Sequence, residues 1–241
     1  SDVYKRQMIT GHRGAAALAP ENTLVSIEHA AKSGALWVEI DTQLSADNVP
    51  VIIHDKTVDR CTNGKGKVSN LDTKALKALD AGSWFGASFE GVSIPTLEEA
   101  LDKCVELGLT LNLELKTYDD KTIDTLVEQV VKVVKQKNYP LDRLLLSSFS
   151  KEALAICQAQ IPEVRRGFIC EVWNDFSLES LQDLDLFSIH IDHKILDAKI
   201  AKSIKNAGLV LKIWTLNAPD KVQAFYDLGV DYIITDKPNE F

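Results

Sequence analysis

Apolar positions along this chain follow two alternating rhythms. Short, nearly continuous apolar runs at 8–11, 36–40, 109–115, 144–147, 166–169, 187–191, 209–214 and 231–234 read as strands buried on both faces. Between them the apolar residues return at helical spacing. Leu24, Ile27, Ala30 and Ala31 do so ahead of Gly34, and Ile123, Leu126, Val127, Val130, Val131 and Val134 do so further on. Thr96 and Glu99 have the spacing of a capping box for a helix ending near Gly108, and Gly208 and Gly229 stop two later helices. Strands without polar alternation, each separated from the next by a helix, predict a parallel sheet with both faces covered.

One apolar run breaks this order. Nine residues separate Asp41 from the run at 51–54, and they contain the turn signal Asp47-Asn48. A parallel crossover needs about a dozen residues or more, so this run reads as a hairpin return. It opens an excursion to about residue 95 that includes Asn63-Gly64-Lys65-Gly66. Without the hairpin strand the count is eight strands, which predicts a (β/α)8 TIM barrel of the α/β class with a small insertion between strands two and three. The expected organisation is one domain over residues 8–241, with the insertion at about 43–95 lying over the barrel mouth. Residues 1–7 are polar, precede the lone methionine Met8, and are read as a non-native leader.

Composition narrows the function more than the fold. A chain of 241 residues with 45% apolar and 26% charged residues is of ordinary globular make-up. The formal charge of −8 argues against nucleic acid or an anionic membrane as a partner, so any phosphate recognition must be local. No apolar run approaches the roughly 20 residues of a membrane span, and no amphipathic basic stretch suggests stable membrane association. Cys61, Cys104, Cys157 and Cys170 lack metal-site or redox spacing and read as reduced, buried thiols. The expected compartment is the cytoplasm, and oligomeric state is left open.

The candidate chemistry sits at strand ends. His12-Arg13-Gly14, Glu39-Ile40-Asp41, His54-Asp55 and Glu114-Leu115-Lys116 each close an apolar run. Residues at i and i+2 of a strand share a face, so Glu39 and Asp41 point together, as do Glu114 and Lys116. Barrel chemistry gathers at the C-terminal strand ends, where neighbours lie about 4.8 Å apart. Three converging carboxylates repel one another, and a hard cation with oxygen ligands resolves the conflict. Oxygen-only ligation favours Mg²⁺ or Ca²⁺ over zinc without choosing between the two.

In order, these segments are similar to the signature of the glycerophosphodiester phosphodiesterase family, and of its bacterial cytosolic branch in particular. The chain has HRG at His12-Arg13-Gly14, PENT at Pro20-Glu21-Asn22-Thr23, E-x-D at Glu39–Asp41, HD at His54-Asp55 and E-x-K at Glu114–Lys116. Further matches lie at Ser147-Ser148-Phe149, Ser188-Ile189-His190 and Thr235-Asp236. The resemblance implies metal-dependent hydrolysis of small glycerophosphodiesters to sn-glycerol 3-phosphate and an alcohol such as choline or ethanolamine. Glu39, Asp41 and Glu114 would hold one divalent cation, and His12 and His54 would be the acid–base pair, without a choice of which is which. Arg13 and Lys116 are candidates for the phosphodiester, although Lys116 has the equal alternative of neutralising the acids. Trp214 is either a pocket wall or barrel packing. His190 and His193 are substrate contacts or structural, Asn22 is read as a helix cap, and Glu21 as a support for a site group. Attack by a substrate hydroxyl and direct attack by water both remain open. Rival readings are a lysophospholipase D-type phosphodiesterase, which would want an apolar rim or interfacial helix, and a non-catalytic barrel binding phosphometabolites.

Overall fold

A computed structural model describes residues 7–241. The expected leader at 1–7 therefore lies almost wholly outside the described residues. Nine strands form one sheet: β1 (Ile9–His12), β2 (Trp37–Leu44), β3 (Pro50–Ile52), β4 (Thr110–Leu115), β5 (Leu144–Ser148), β6 (Arg165–Cys170), β7 (Ser188–Asp192), β8 (Val210–Trp214) and β9 (Tyr232–Thr235). Eight of them are parallel, and pairing of β1 with both β2 and β9 closes the barrel. The ninth, β3, returns antiparallel along the end of β2. That hairpin carries β2 on to Leu44, past the expected end at residue 40, so Glu39 and Asp41 lie within the strand.

The helices are α1 (Leu24–Lys32), α2 (Thr73–Lys77), α3 (Leu97–Leu107), α4 (Ile123–Gln136), α5 (Lys151–Gln160), α6 (Ala198–Asn206) and α7 (Val222–Asp227). The capping box of α3 forms, with Thr96 and Glu99 each bonding the other's backbone, and Gly108 closes the helix in the left-handed region. One expected helix is different. Between β6 and β7 the chain makes only a 3-10 helix, Glu179–Leu184. Leu178, Leu181 and Leu184 recur every three residues, which matches the three-residue turn of that helix and buries the last two.

Helices pack on the outside of the sheet in two large apolar clusters, one centred on Val38, Leu111 and Val130, the other on Ile189, Leu211 and Ile204. A third cluster belongs to the excursion between β3 and α3, where Val51, Val58, Val68, Leu76 and Ile94 form a core of their own. Trp84 seats its indole N–H on the Ala81 carbonyl at 2.9 Å and meets Phe85 edge-on, within that excursion. Inside the barrel, Lys212 is fully buried. Its Nζ lies 3.9 Å from the Trp37 ring centroid and 4.4 Å from that of Tyr232, with no hydrogen-bond partner. Burial pushes this ammonium down to about 7. On α6, Lys205 folds back onto Asp231, just ahead of β9.

Candidate active site

Strand register assembles the acids. His12 pairs with Glu39, Glu39 with Asn112, and Asp41 with Glu114 across β1, β2 and β4. Strand alternation sends Glu39, Asp41 and Glu114 to the same interior side, where all are buried and one oxygen from each lies within 4.8 Å of the others. Burial and the Asp41 charge hold the Glu39 and Glu114 carboxyls well above the usual range. Burial also pushes on Asp41, but a hydrogen bond from Glu114 and the His54, Arg13 and Lys116 charges hold it low. Three carboxylates this close cannot all ionise on their own. Glu39 Oε1 and Asp41 Oδ1 are buried without any donor. Hard, unpaired oxygen acceptors aimed at one another fit a divalent cation.

Arg13 and Asn22 reach this cluster from the turns after β1. Arg13, Gly14 and Asn22 all have left-handed backbone, with φ of 50°, 87° and 59°. A Cβ on Gly14 would lie 2.4 Å from Ser26 Oγ, so only glycine fits between the turn and α1. Asn22 is not the helix cap expected of it. Thr23 caps α1, bonding Ser26 N, while Asn22 donates to Asp41 Oδ2 at 3.0 Å and accepts from Asp41 N at 3.2 Å. The cap moved by one residue because Asn tolerates left-handed backbone, which an N-cap does not use. Arg13 Nη1 donates to Glu21 at 2.9 Å, and Arg13 Nε lies 3.7 Å from Asp41 Oδ2. Lys116 Nζ sits 3.4 Å from both Glu114 Oε1 and His54 Nε2.

Each histidine is braced by a carboxylate on the far side of its ring. His12 Nδ1 is 2.6 Å from Asp236 Oδ1, and Asn217 donates to the other Asp236 oxygen at 2.8 Å. His12 Nε2 then faces Glu39 Oε2 at 3.6 Å. His54 Nδ1 is 2.8 Å from Asp55 Oδ1. An ionised carboxylate only accepts, so each Nδ1 carries a proton and each neutral ring presents a bare Nε2 lone pair inward. Arg60, from the excursion, ties these braces together. It donates to both Asp55 oxygens at 2.8 and 2.9 Å and to both Glu21 oxygens at 2.7 and 3.0 Å. Arg60 thereby pushes Asp55 down to about 2. Burial, with help from the Arg13 and Lys116 charges, holds His54 below its ordinary value.

A cavity of about 290 Å³ opens above these groups, lined by His12, Arg13, Glu39, His54, Glu114, Lys116 and Trp214 among others, with Asp41 beneath them. Its other wall is of different character: Ser147, Phe149, Ile169, Glu171, His190 and Trp214. His190 is buried at its base, bonded to Ser188 Oγ at 2.8 Å and held well below the ordinary histidine value by burial. His193 lies apart, edge-on to Phe225 at 6.0 Å. All eight residues singled out at the strand ends thus come together at one mouth. Asp236, Asn217, Arg60 and Glu171 were not singled out as site residues. Asp236 follows the end of a barrel strand, a placement that marks it; Arg60 sits in an irregular segment with no local signal.

Residues 12–240 match the Glycerophosphoryl diester phosphodiesterase family. A glycerophosphodiester phosphodiesterase of Caldanaerobacter subterraneus is 30% identical over 97% of this chain and 95% of its own length. An Oleispira antarctica phosphodiesterase, solved with the product sn-glycerol-3-phosphate, superposes with a TM-score of 0.93 at 37% identity, covering 99% of this chain and 96% of that one. A glycerophosphodiester phosphodiesterase from Parabacteroides distasonis gives 0.82 at 27% identity, covering 98% and 94%.

Proposed function

The chain belongs to the glycerophosphoryl diester phosphodiesterase family and is an enzyme of that class, and from this premise we propose that it hydrolyses glycerophosphodiesters, such as glycerophosphocholine or glycerophosphoethanolamine, to sn-glycerol 3-phosphate and the free alcohol. One observation carries the reading: three converging carboxylates, two of them with an unpaired buried oxygen, lie beside two imidazoles, each tied by Nδ1 to an aspartate. Glu39, Asp41 and Glu114 would hold the divalent cation, Mg²⁺ or Ca²⁺. Bound there, it supplies Lewis acidity, drawing negative charge from the phosphate and easing deprotonation of a nearby hydroxyl.

Arg13 and Lys116 hold the phosphate. Arg13 lines the cavity with Nη1 held by Glu21 and Nε turned toward Asp41, which fixes the guanidinium where it can meet a phosphate oxygen. His54 is held below the ordinary histidine value, so its Nε2 takes the proton from the attacking group. That group is either water, which gives the products directly, or a substrate hydroxyl, whose cyclic phosphate a water then opens. The opposite role falls to His12, which in its imidazolium form gives the Nε2 proton to the departing alkoxide while Asp236 steadies the ring.

A second reading, an acyl-bearing lysophospholipid as substrate, is favoured by the loop after β6, where Val172, next to the cavity-lining Glu171, and Phe176 further on are each 73% exposed. The test is sn-glycerol 3-phosphate release from glycerophosphocholine with Mg²⁺, with Ca²⁺ and with excess chelator, run beside choline release from lysophosphatidylcholine. Metal-dependent glycerol phosphate release is expected. Choline from the lysolipid alone would favour the second reading, and silence on both would sink hydrolysis.

A further inference from the structure

The cavity has two chemically opposed walls, and the second is matched to a group that the first does not serve. On the wall formed by β1 to β4 and the segments after them stand His12, Arg13, His54 and Lys116, a set suited to an anionic phosphodiester. Across from them, on the segment after β6, Glu171 lines the same cavity as an exposed carboxylate without a hydrogen bond or ion pair among the described residues. A lone carboxylate at the mouth of a phosphate-binding site opposes the substrate's charge, unless the substrate brings a positive charge of its own.

The neighbours of Glu171 sharpen the point. Phe149 and Trp214 meet edge-on with ring centroids 6.1 Å apart. Several polar atoms of this wall are already engaged: Ser147 Oγ donates to Asn112 Oδ1 at 2.7 Å, Trp214 Nε1 donates to the His190 carbonyl at 3.0 Å, and His190 Nε2 is bonded to Ser188. A polyol placed here could donate a hydroxyl to Glu171 but would leave the carboxylate's charge without a counter-ion. An alkylammonium group needs only aromatic surface and a counter-charge. Lys116 Nζ lies 5.7 Å from the Phe149 ring centroid, so a second cation belongs on the side shared by Trp214 and Glu171.

We propose that Glu171, with the Trp214 and Phe149 rings, forms the subsite for the leaving alcohol and selects a cationic alkylammonium alcohol over a neutral polyol. The assignment rests on the hydrolytic reading above and adds the class of alcohol to it. Glu171 is the specificity-determining residue, and the rings supply the surface against which the cation lies.

The experiment compares kcat/KM for glycerophosphocholine and for glycerophosphoglycerol, with Mg²⁺ present, in the wild-type protein and in Glu171→Gln and Glu171→Lys. Wild type is expected to prefer the choline diester by about tenfold, the size of one desolvated cation–aromatic contact with a counter-ion. Glu171→Gln should bring the ratio close to one, and Glu171→Lys should invert it. Because Glu171 is exposed, these variants should fold, and circular dichroism checks that they do. Equal kcat/KM for the two diesters in wild type overturns the proposal, as does a Glu171→Gln variant that lowers both alike or leaves the ratio unchanged. Glycerol phosphate release with either diester keeps the hydrolytic reading in all of those cases. No release from any diester would overturn that reading itself, and this subsite with it.

Discussion

The two walls of the barrel mouth hold together by different physics. On the β1–β4 side, charge is the structural material: a chain of contacts runs from His54 through Asp55, Arg60 and Glu21 to Arg13, and Arg13 leads on to Asp41. On the β5–β9 side the packing is mostly neutral apart from Glu171, and several cations there rest on neutral partners: Lys212 lies over Trp37 and Tyr232, Arg165 over Phe187, and the buried Arg166 donates to backbone carbonyls. Charged chains transmit a local loss to distant members, because each member's position depends on its partner. Packed neutral surface absorbs change locally. The first wall should therefore govern turnover, and the second should govern substrate choice and stability.

The sharpest break in that comparison would come from the histidines. His12→Ala and His54→Ala should each lower kcat by about 10²–10⁴-fold, the usual worth of a general acid or base, while calorimetric titration still detects Mg²⁺ or Ca²⁺ binding. Because His54 is held below its ordinary value of 6.5, the acid limb of kcat/KM should fall below that pH. Near-normal turnover in either variant, or an acid limb at or above pH 6.5, would remove that histidine from its role.

Arg60→Met should have a smaller effect, about tenfold on kcat, because it frees Asp55 and Glu21 without touching the mouth's own donors. Arg60→Lys should recover part of it, since an ammonium can replace one fork but not both. Added guanidinium restoring Arg60→Ala would mark a positioning role, which a general loss of folding would not show.

The smallest expected effect concerns stability, on the neutral side. The Lys212 ammonium is at about 7 in the fold against its ordinary 10.5, so the unfolded chain binds the extra proton between those values. Stability from this group is then fully present above pH 10.5 and is lost as pH falls to 7. Lys212→Met should gain roughly 1 kcal/mol at pH 7, the ring contacts offsetting part of the burial cost, and less at pH 10. Urea unfolding at the two pH values checks it. A loss at pH 7 would mean that the aromatic faces outweigh burial.

How far the sequence could be read differs between the two walls. Short motifs at strand ends made His12, Glu39, Asp41, His54, Glu114 and Lys116 visible, because strand alternation and barrel polarity place such residues without long-range information. Asn22 was visible but misread: a polar residue before a helix suggests a cap, and only its left-handed backbone turned it onto Asp41. Asp236 and Asn217 lie more than 200 residues from His12, and nothing local announces that barrel closure through β1 and β9 will join them.

By itself the sequence determined the barrel, the hairpin that interrupts it, the residues at its mouth and the acids suited to a cation, since these follow from apolar periodicity and nearest-neighbour spacing. Tertiary structure alone decided which carboxylate braces which histidine, that an arginine from the excursion joins the two halves of the charged wall, and that one unpaired carboxylate faces them across the cavity. Those contacts depend on closing the sheet and folding the excursion back on it, and each links side chains whose separation along the chain carries no period to read.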